Sequence, residues 1–216
     1  EATGHKVISV DSSNGKLTAE QVRKVVTGHG DEHMVKPRLV YLSQPTEVGT
    51  IYSRLEMEQI SRVCRELGLW LFVDGARLGS ALCAAGNDLS LPLLAGLVDA
   101  FYIGGTKNGA LLGEALVIRA EALKADFRYH MKQKGALLAK GRLIGIQFLT
   151  LFTGELYFEL ARHANRMADQ LRQELRQAGY RFLTVSPTNQ IFPILPTHII
   201  DELLKEYSFY VWEKVD

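Results

Sequence analysis

Two residues stand where side chains of their type have chemistry to do, an aspartate and a lysine, each at the exit of a short apolar run. Asp74 follows Leu69-Trp70-Leu71-Phe72-Val73, and Lys107 follows Ala100-Phe101-Tyr102-Ile103 and the linking Gly104-Gly105-Thr106. A carboxylate at the end of a buried strand sits at low dielectric, where leaving it unpaired is costly, so Asp74 needs a cationic or hydrogen-bonding partner. Arg77, or the first turn of a helix starting near Ala76, would satisfy it as well as a ligand would. Lys107 also has two readings: its amine snorkels to solvent, as most lysines do, or nearby glycines let the backbone close in and desolvate it into a reactive amine.

The elements that must position them follow from apolar periodicity, which alternates short β-rich runs with longer helical stretches. Val7–Val10, Arg38–Leu42, Leu69–Val73, Ala100–Ile103 and Ala115–Ile118 read as strands. The continuous apolar character of Leu69–Val73 predicts a strand covered on both faces. Thr18-Ala19-Glu20-Gln21 and Ser53-Arg54-Leu55-Glu56 have capping-box spacing and start helices. The first has Leu17, Val22, Val25 and Val26 on one face; the second has Leu55, Ile60, Val63, Cys64 and Leu67 and closes at Gly68. This is the pattern of βα units on a mostly parallel sheet. Such sheets collect ligands outside the carboxyl ends of their strands, where the loops bearing Asp74 and Lys107 would meet.

After about residue 119 the character changes. Residues 120–134 and 142–178 read as helices. Arg181–Val185 and Gln190–Leu195 read as strands, His198–Lys205 as a helix and Phe209–Trp212 as a last strand. The expected architecture is α/β, a large domain over residues 1–148 and a smaller α+β domain over 149–216. No internal repeat or low-complexity segment interrupts it.

Composition narrows the function classes. The 216 residues are 47% hydrophobic and 23% charged, which is ordinary globular usage. Lys and Arg number 25 against 24 Asp and Glu, for a net charge of +1 with neither sign gathered into a block, so the basic footprint of a nucleic-acid or membrane-surface binder is absent. No uninterrupted apolar run approaches the roughly 18 residues of a membrane span. Cys64 and Cys83 lack CxxC or Cys/His spacing and read as small buried hydrophobes in a reducing cytoplasm. His29 and His33 have i, i+4 spacing, but Gly28, Gly30 and Asp31 make that stretch a loop, so no metal site is expected there.

Taken together, the two loops point to one chemistry. A strand ending in Asp, then a small residue and Arg, followed about thirty residues later by a strand ending in Gly-Gly-Thr-Lys, offers what pyridoxal phosphate needs. The lysine forms a Schiff base and the aspartate keeps the ring nitrogen protonated, so that the ring takes up electrons. Gly104–Asn108 lacks the spacing and the Lys-Ser/Thr of a P-loop, and no GxGxxG follows a strand.

Leu71-Phe72-Val73-Asp74-Gly75-Ala76-Arg77, Gly104-Gly105-Thr106-Lys107-Asn108-Gly109 and Gln133–Arg142 resemble the threonine aldolase / β-eliminating lyase family of fold-type I pyridoxal phosphate enzymes over nearly the whole chain. The resemblance implies that Lys107 carries the cofactor, Asp74 bonds its ring nitrogen, Ala76 packs on the ring face and Arg77 grips the substrate carboxylate. Thr106 would help with the phosphate or the lysine, or merely shape the turn. Where many members have Glu-Asn-Thr-His, this chain has Ser43-Gln44-Pro45-Thr46-Glu47, which puts Glu47 near a proton-transferring histidine's position, as a base or as a surface-loop glutamate. The family's phosphate loop and ring-stacking histidine would precede Glu1, and a second carboxylate-binding arginine would follow Asp216, so a partial chain is expected. The implied reaction is cleavage of threonine or allo-threonine to glycine and an aldehyde in a homodimer or homotetramer. Phenylserine-type cleavage, another lyase or transaminase reaction, and a catalytically silent scaffold are the alternatives.

Overall fold

The structure is a computed structural model and describes residues 4–214. Its centre is a four-stranded sheet of β1 (Leu39–Ser43), β2 (Trp70–Asp74), β3 (Ala100–Gly104) and β4 (Glu114–Ile118), lying side by side in chain order. The first three are parallel, with Tyr41 beside Phe72, Ser43 beside Asp74 and Val73 beside Phe101; β4 runs antiparallel to β3, setting Glu114 beside Gly104. One antiparallel edge strand on a parallel sheet is a common arrangement.

The helices on this sheet start and stop where their end residues dictate. In α1 (Ala19–Thr27), Thr18 Oγ1 accepts from Gln21 N while Thr18 N donates to Gln21 Oε1; in α2 (Arg54–Leu67), Ser53 and Glu56 make the same reciprocal pair. Gly68 ends α2 at φ 64°, a left-handed turn that glycine adopts without steric cost. Met57, Ile60, Val63 and Cys64 of α2 and Leu94 of α4 (Leu91–Leu97) are buried in one cluster with Val40, Leu42, Leu71, Val73 and Phe101 of the sheet. Leu55, expected on that apolar face, is exposed instead, at the helix's first turn.

The sheet's other face is open, which corrects the expectation that β2 is covered on both sides. Successive residues of a strand point to opposite faces. Leu39 and Tyr41, which alternate with buried Val40 and Leu42, are each 55% exposed, and Trp70 and Phe72 are only half-buried.

Further differences have local causes. Val7–Val10 forms no strand, because among the described residues no neighbour exchanges backbone hydrogen bonds with it. The helix expected over 120–134 is a 3-10 turn, Glu121–Leu123, and then α5 (Phe127–Gln133), parted by Asp126 at φ 55°. The helix expected over 142–178 breaks at Gly154 and Glu155, both left-handed, into α6 (Arg142–Phe152) and α7 (Leu156–Gln177). Taken as one run, Arg142–Gln177 contains a stretch long and apolar enough to cross a bilayer by length and composition. The break divides that run, and α7 packs on α3 (Leu78–Leu82), with Asn165 Nδ2 donating to Ser80 O at 2.9 Å. The tail holds two-residue strands, β5 (Arg181–Phe182) and β6 (Pro193–Ile194), and α8 (Thr197–Leu203); Phe209–Trp212 finds no strand partner among the described residues and stays irregular. Cys64 and Cys83 are both free thiols.

Candidate active site

Backbone hydrogen bonds lace together the exits of the three parallel strands. Gln44 N donates to Asp74 O at 2.8 Å, and Gly104 N donates to Gly75 O at 2.9 Å. The two loops approach so closely that a Cβ on Gly75 would lie 1.9 Å from Tyr102 O, and one on Gly104 would lie 2.2 Å from Ala76 O. Only glycine permits this contact, so the loops that carry Asp74 and Lys107 are fixed to each other by main chain.

Within this frame Asp74 Oδ1 accepts from Ala76 N at 2.9 Å, and Oδ2 accepts from the Tyr41 hydroxyl. Asp74 thus holds the turn that leads into the next helix and does not cap that helix, which starts only at Leu78 and has no side-chain cap. No Asp74–Arg77 pair forms: Arg77 is half-buried at the head of α3, and its guanidinium has no hydrogen-bond or ion-pair partner among the described residues. Lys107 is exposed, and its amine likewise makes no contact of that kind; Thr106 is exposed, with Oγ1 3.5 Å from Gly113 O.

Three residues that sequence reasoning did not single out hold the Lys107 loop. The Tyr157 hydroxyl, from the first turn of α7, donates to Gly104 O and accepts from Gly79 N, both at 3.1 Å. Asn108, next to the lysine, donates through Nδ2 to Tyr157 O at 2.8 Å. Glu114 Oε2 accepts from Gly105 N at 2.6 Å. The loop is thus held before and after Lys107 while the amine itself stays free.

On the β1 side, Ser43 stands beside Asp74 and its hydroxyl reaches Glu47 Oε1 at 3.5 Å. Glu47 is exposed, as a surface-loop glutamate would be, yet lies on the same rim; its carbonyl accepts from Gln190 Nε2 at 3.3 Å. Below the rim, on the open face, Tyr41, Phe72 and Tyr102 form an aromatic row with centroids 5.6 and 6.0 Å apart. Burial, followed by the neighbouring Asp74 carboxylate, to which Tyr41 is hydrogen-bonded, pushes both phenols well above the ordinary tyrosine range. Tyr41 and Tyr102 were missed as site residues. The available signal was the period of two, which puts Tyr41 on the face of Ser43.

Away from this rim, Asp31, Glu32 and His33 bring ligand atoms within 4.8 Å of one another, but all three are exposed. His29 Nδ1 lies 2.7 Å from Val25 O and is not part of that group.

Residues 1–196 match the family model of the β-eliminating lyases. The chain belongs to the β-eliminating lyase family. Among its relatives, the low specificity L-threonine aldolase of Pseudomonas aeruginosa is 35% identical over 98% of the chain and 62% of its own length. The same-named protein of a Pseudomonas species is 39% identical over 79% of the chain and 49% of its own length. A solved structure of Leishmania major threonine aldolase superposes with a TM-score of 0.97 at 48% identity, covering 99% of this chain and 63% of that one. The chain therefore spans about half to three fifths of these relatives' length. Its α/β fold with a mostly parallel sheet is that of the fold-type I enzymes.

Proposed function

We propose that the protein is a pyridoxal phosphate-dependent aldolase that cleaves threonine or allo-threonine to glycine and an aldehyde. The observation that carries this reading is the main-chain link between Gly104 and Gly75, which joins an anchored carboxylate and an unpartnered amine at the exits of adjacent parallel strands. The names of the relatives from Pseudomonas and Leishmania support the substrate class.

The donor set suits that cofactor. Asp74 is held by one hydrogen bond on each oxygen, and each oxygen keeps a lone pair for the N–H of a protonated ring. Among the described residues Lys107 Nζ has no partner to give up before bonding to an aldehyde carbon. Ala76 offers a small apolar surface beside Asp74, and the Thr106 hydroxyl is an exposed donor next to the lysine. When bound, the ring supplies a sink for the electron pair left on the substrate's α-carbon as a bond to it breaks.

The chain's own residues account for the rest. The fork of the Arg77 guanidinium, free of an internal partner, binds the substrate carboxylate in a two-point contact and so fixes which α-carbon bond faces the cleavage direction. Glu47, on the β1 rim, takes the proton from the substrate's β-hydroxyl oxygen as the bond between the α- and β-carbons breaks and the aldehyde leaves. Lys107, whose amine is exposed on the adjoining loop, would return a proton to the α-carbon, which completes glycine.

The exposed apolar side chains of α6, Leu143, Ile146 and Leu149, support a homodimer or homotetramer, which light scattering on the purified protein would measure. The functional reading is tested by assaying glycine and aldehyde release from the four threonine stereoisomers and phenylserine. Equal release of both products from a threonine isomer is expected. Deamination without glycine would assign a different lyase reaction.

A further inference from the structure

Tyr41 performs no duty that the fold requires of a tyrosine. Its ring is 55% exposed on the open face of β1, so it adds little to the core, and its stacking on Phe72 would be served equally by phenylalanine. What the hydroxyl adds is one directed contact, the hydrogen bond to Asp74 Oδ2, opposite the Ala76 N–H on Oδ1. Tyr102, on the neighbouring strand, continues the row: the register that pairs Val73 with Phe101 brings it beside Asp74.

We propose that Tyr41, assisted by Tyr102, is a positioning residue for the Asp74 carboxylate, clamping its orientation so that its free lone pairs face a cationic ring N–H. The inference rests on the proposed function, which makes Asp74 the group that faces the cofactor ring, and goes beyond it in assigning what aims that group. One hydrogen bond leaves a carboxylate free to rotate about its last torsion; bonds to both oxygens, from the following turn and from the adjacent strand, remove that freedom. Preorganisation of this kind tightens binding by removing an ordering cost at the moment the ligand arrives.

The charges facing the phenols keep them in the donor form. Tyr41 faces Asp74 and Glu47, and Tyr102 faces Asp74 and Glu114. A phenolate there would meet carboxylates and no cation among these groups, so both phenols stay protonated throughout the neutral range.

Two arms of one experiment on the full-length protein test the clamp, with Tyr41→Phe and Tyr102→Phe compared with the wild type. In the cofactor-free protein, ultraviolet titration of the phenols is expected to count one late-ionising phenol fewer in Tyr41→Phe, with Tyr52, Tyr102 and Tyr157 remaining, and to show an earlier rise in Asp74→Asn; a titration indifferent to Asp74→Asn would overturn the contact. In the second arm pyridoxal phosphate is added, bound cofactor is followed by its visible absorbance, and attachment to Lys107 is checked by borohydride reduction. Tyr41→Phe is expected to weaken binding about tenfold, the range of a hydrogen bond to a charged group, and to move the pH midpoint of the visible band. Tyr102→Phe should do so less. A merely structural role would leave that midpoint in place, and such a result overturns the inference. Wild-type protein that binds the cofactor on Lys107 while Tyr41→Phe matches it in affinity and spectrum would refute the clamp alone. Wild-type protein that takes up no cofactor would refute the proposed function and the clamp with it.

Discussion

The hydroxyl of Tyr157 donates to the carbonyl of Gly104 at 3.1 Å, tying the first turn of α7 to the strand end that leads into Lys107. The same oxygen accepts from Gly79 N, so one fully buried phenol satisfies a main-chain acceptor at the end of β3 and a main-chain donor in α3.

Removing it should therefore cost more than one average hydrogen bond. Tyr157→Phe leaves Gly104 O and Gly79 N without that partner in a site closed to water, at about 1–3 kcal/mol. Urea unfolding of the variant should show a lower midpoint with an unchanged slope. A midpoint equal to that of the wild type would mean the two groups find other partners.

Glycine at the loop crossing is required by backbone, not by flexible side chains. Gly75→Ala puts a methyl 1.9 Å from Tyr102 O, and Gly104→Ala puts one 2.2 Å from Ala76 O. Each should destabilise by about 3 kcal/mol or more, the upper part of the overpacking range. Gly96→Ala, in α4 with nothing within 4 Å of the added carbon, should instead stabilise by up to about 1 kcal/mol. Thermal melts of the three variants check the contrast.

Alkali should unfold the protein through its buried acids. Burial, with the Asp99 charge adding to it, raises the Cys64 thiol from 9.0 to about 12, and burial raises the Tyr52 phenol from 10.0 to about 12. Both pKa values are higher folded than unfolded, so their contribution is complete below pH 9 and is lost as pH climbs toward 12, the unfolded chain releasing its protons first. The loss should reach roughly 3 kcal/mol or more. Denaturant titrations at stepped pH should show the decline starting near pH 9 in the wild type and later in Cys64→Ala.

Glu47 is exposed and contributes little to the core, which separates its chemistry from its stability. Glu47→Gln should keep cofactor attachment and folding while turnover of threonine falls about 100-fold or more, the usual effect of removing a general base. Steady-state kinetics would show the loss in kcat with little change in KM. Undiminished kcat would move the base elsewhere.

Much of the large sheet and its rim was legible in the sequence because those signals are local. Capping boxes at Thr18 and Ser53 depend on residues three apart, and the exits at Asp74 and Gly104 follow from apolar runs that stop at polar residues. What stayed hidden depends on contacts between distant segments. Nothing near Val7 reveals that no strand accepts it. Nothing in Leu69–Val73 alone says that one sheet face is open. Tyr157 lies 53 residues from Gly104, and its role is set by how α7 crosses the loops. The helix break at Gly154 and Glu155 stayed hidden because apolar residues continue on both sides of it, Leu149 and Leu151 before and Leu156 and Leu160 after. Tyr41 looked like an ordinary strand aromatic until the register placed it under Asp74.

The central claim is that Lys107 is the residue that holds the cofactor, and one measurement tests it most directly. The full-length protein is incubated with pyridoxal phosphate, reduced with borohydride, digested and mapped by peptide mass. A single modified peptide carrying the added pyridoxyl group on Lys107, absent from Lys107→Ala, is the result the structure predicts. Label on another lysine, or unmodified Lys107 in protein saturated with cofactor, would contradict it.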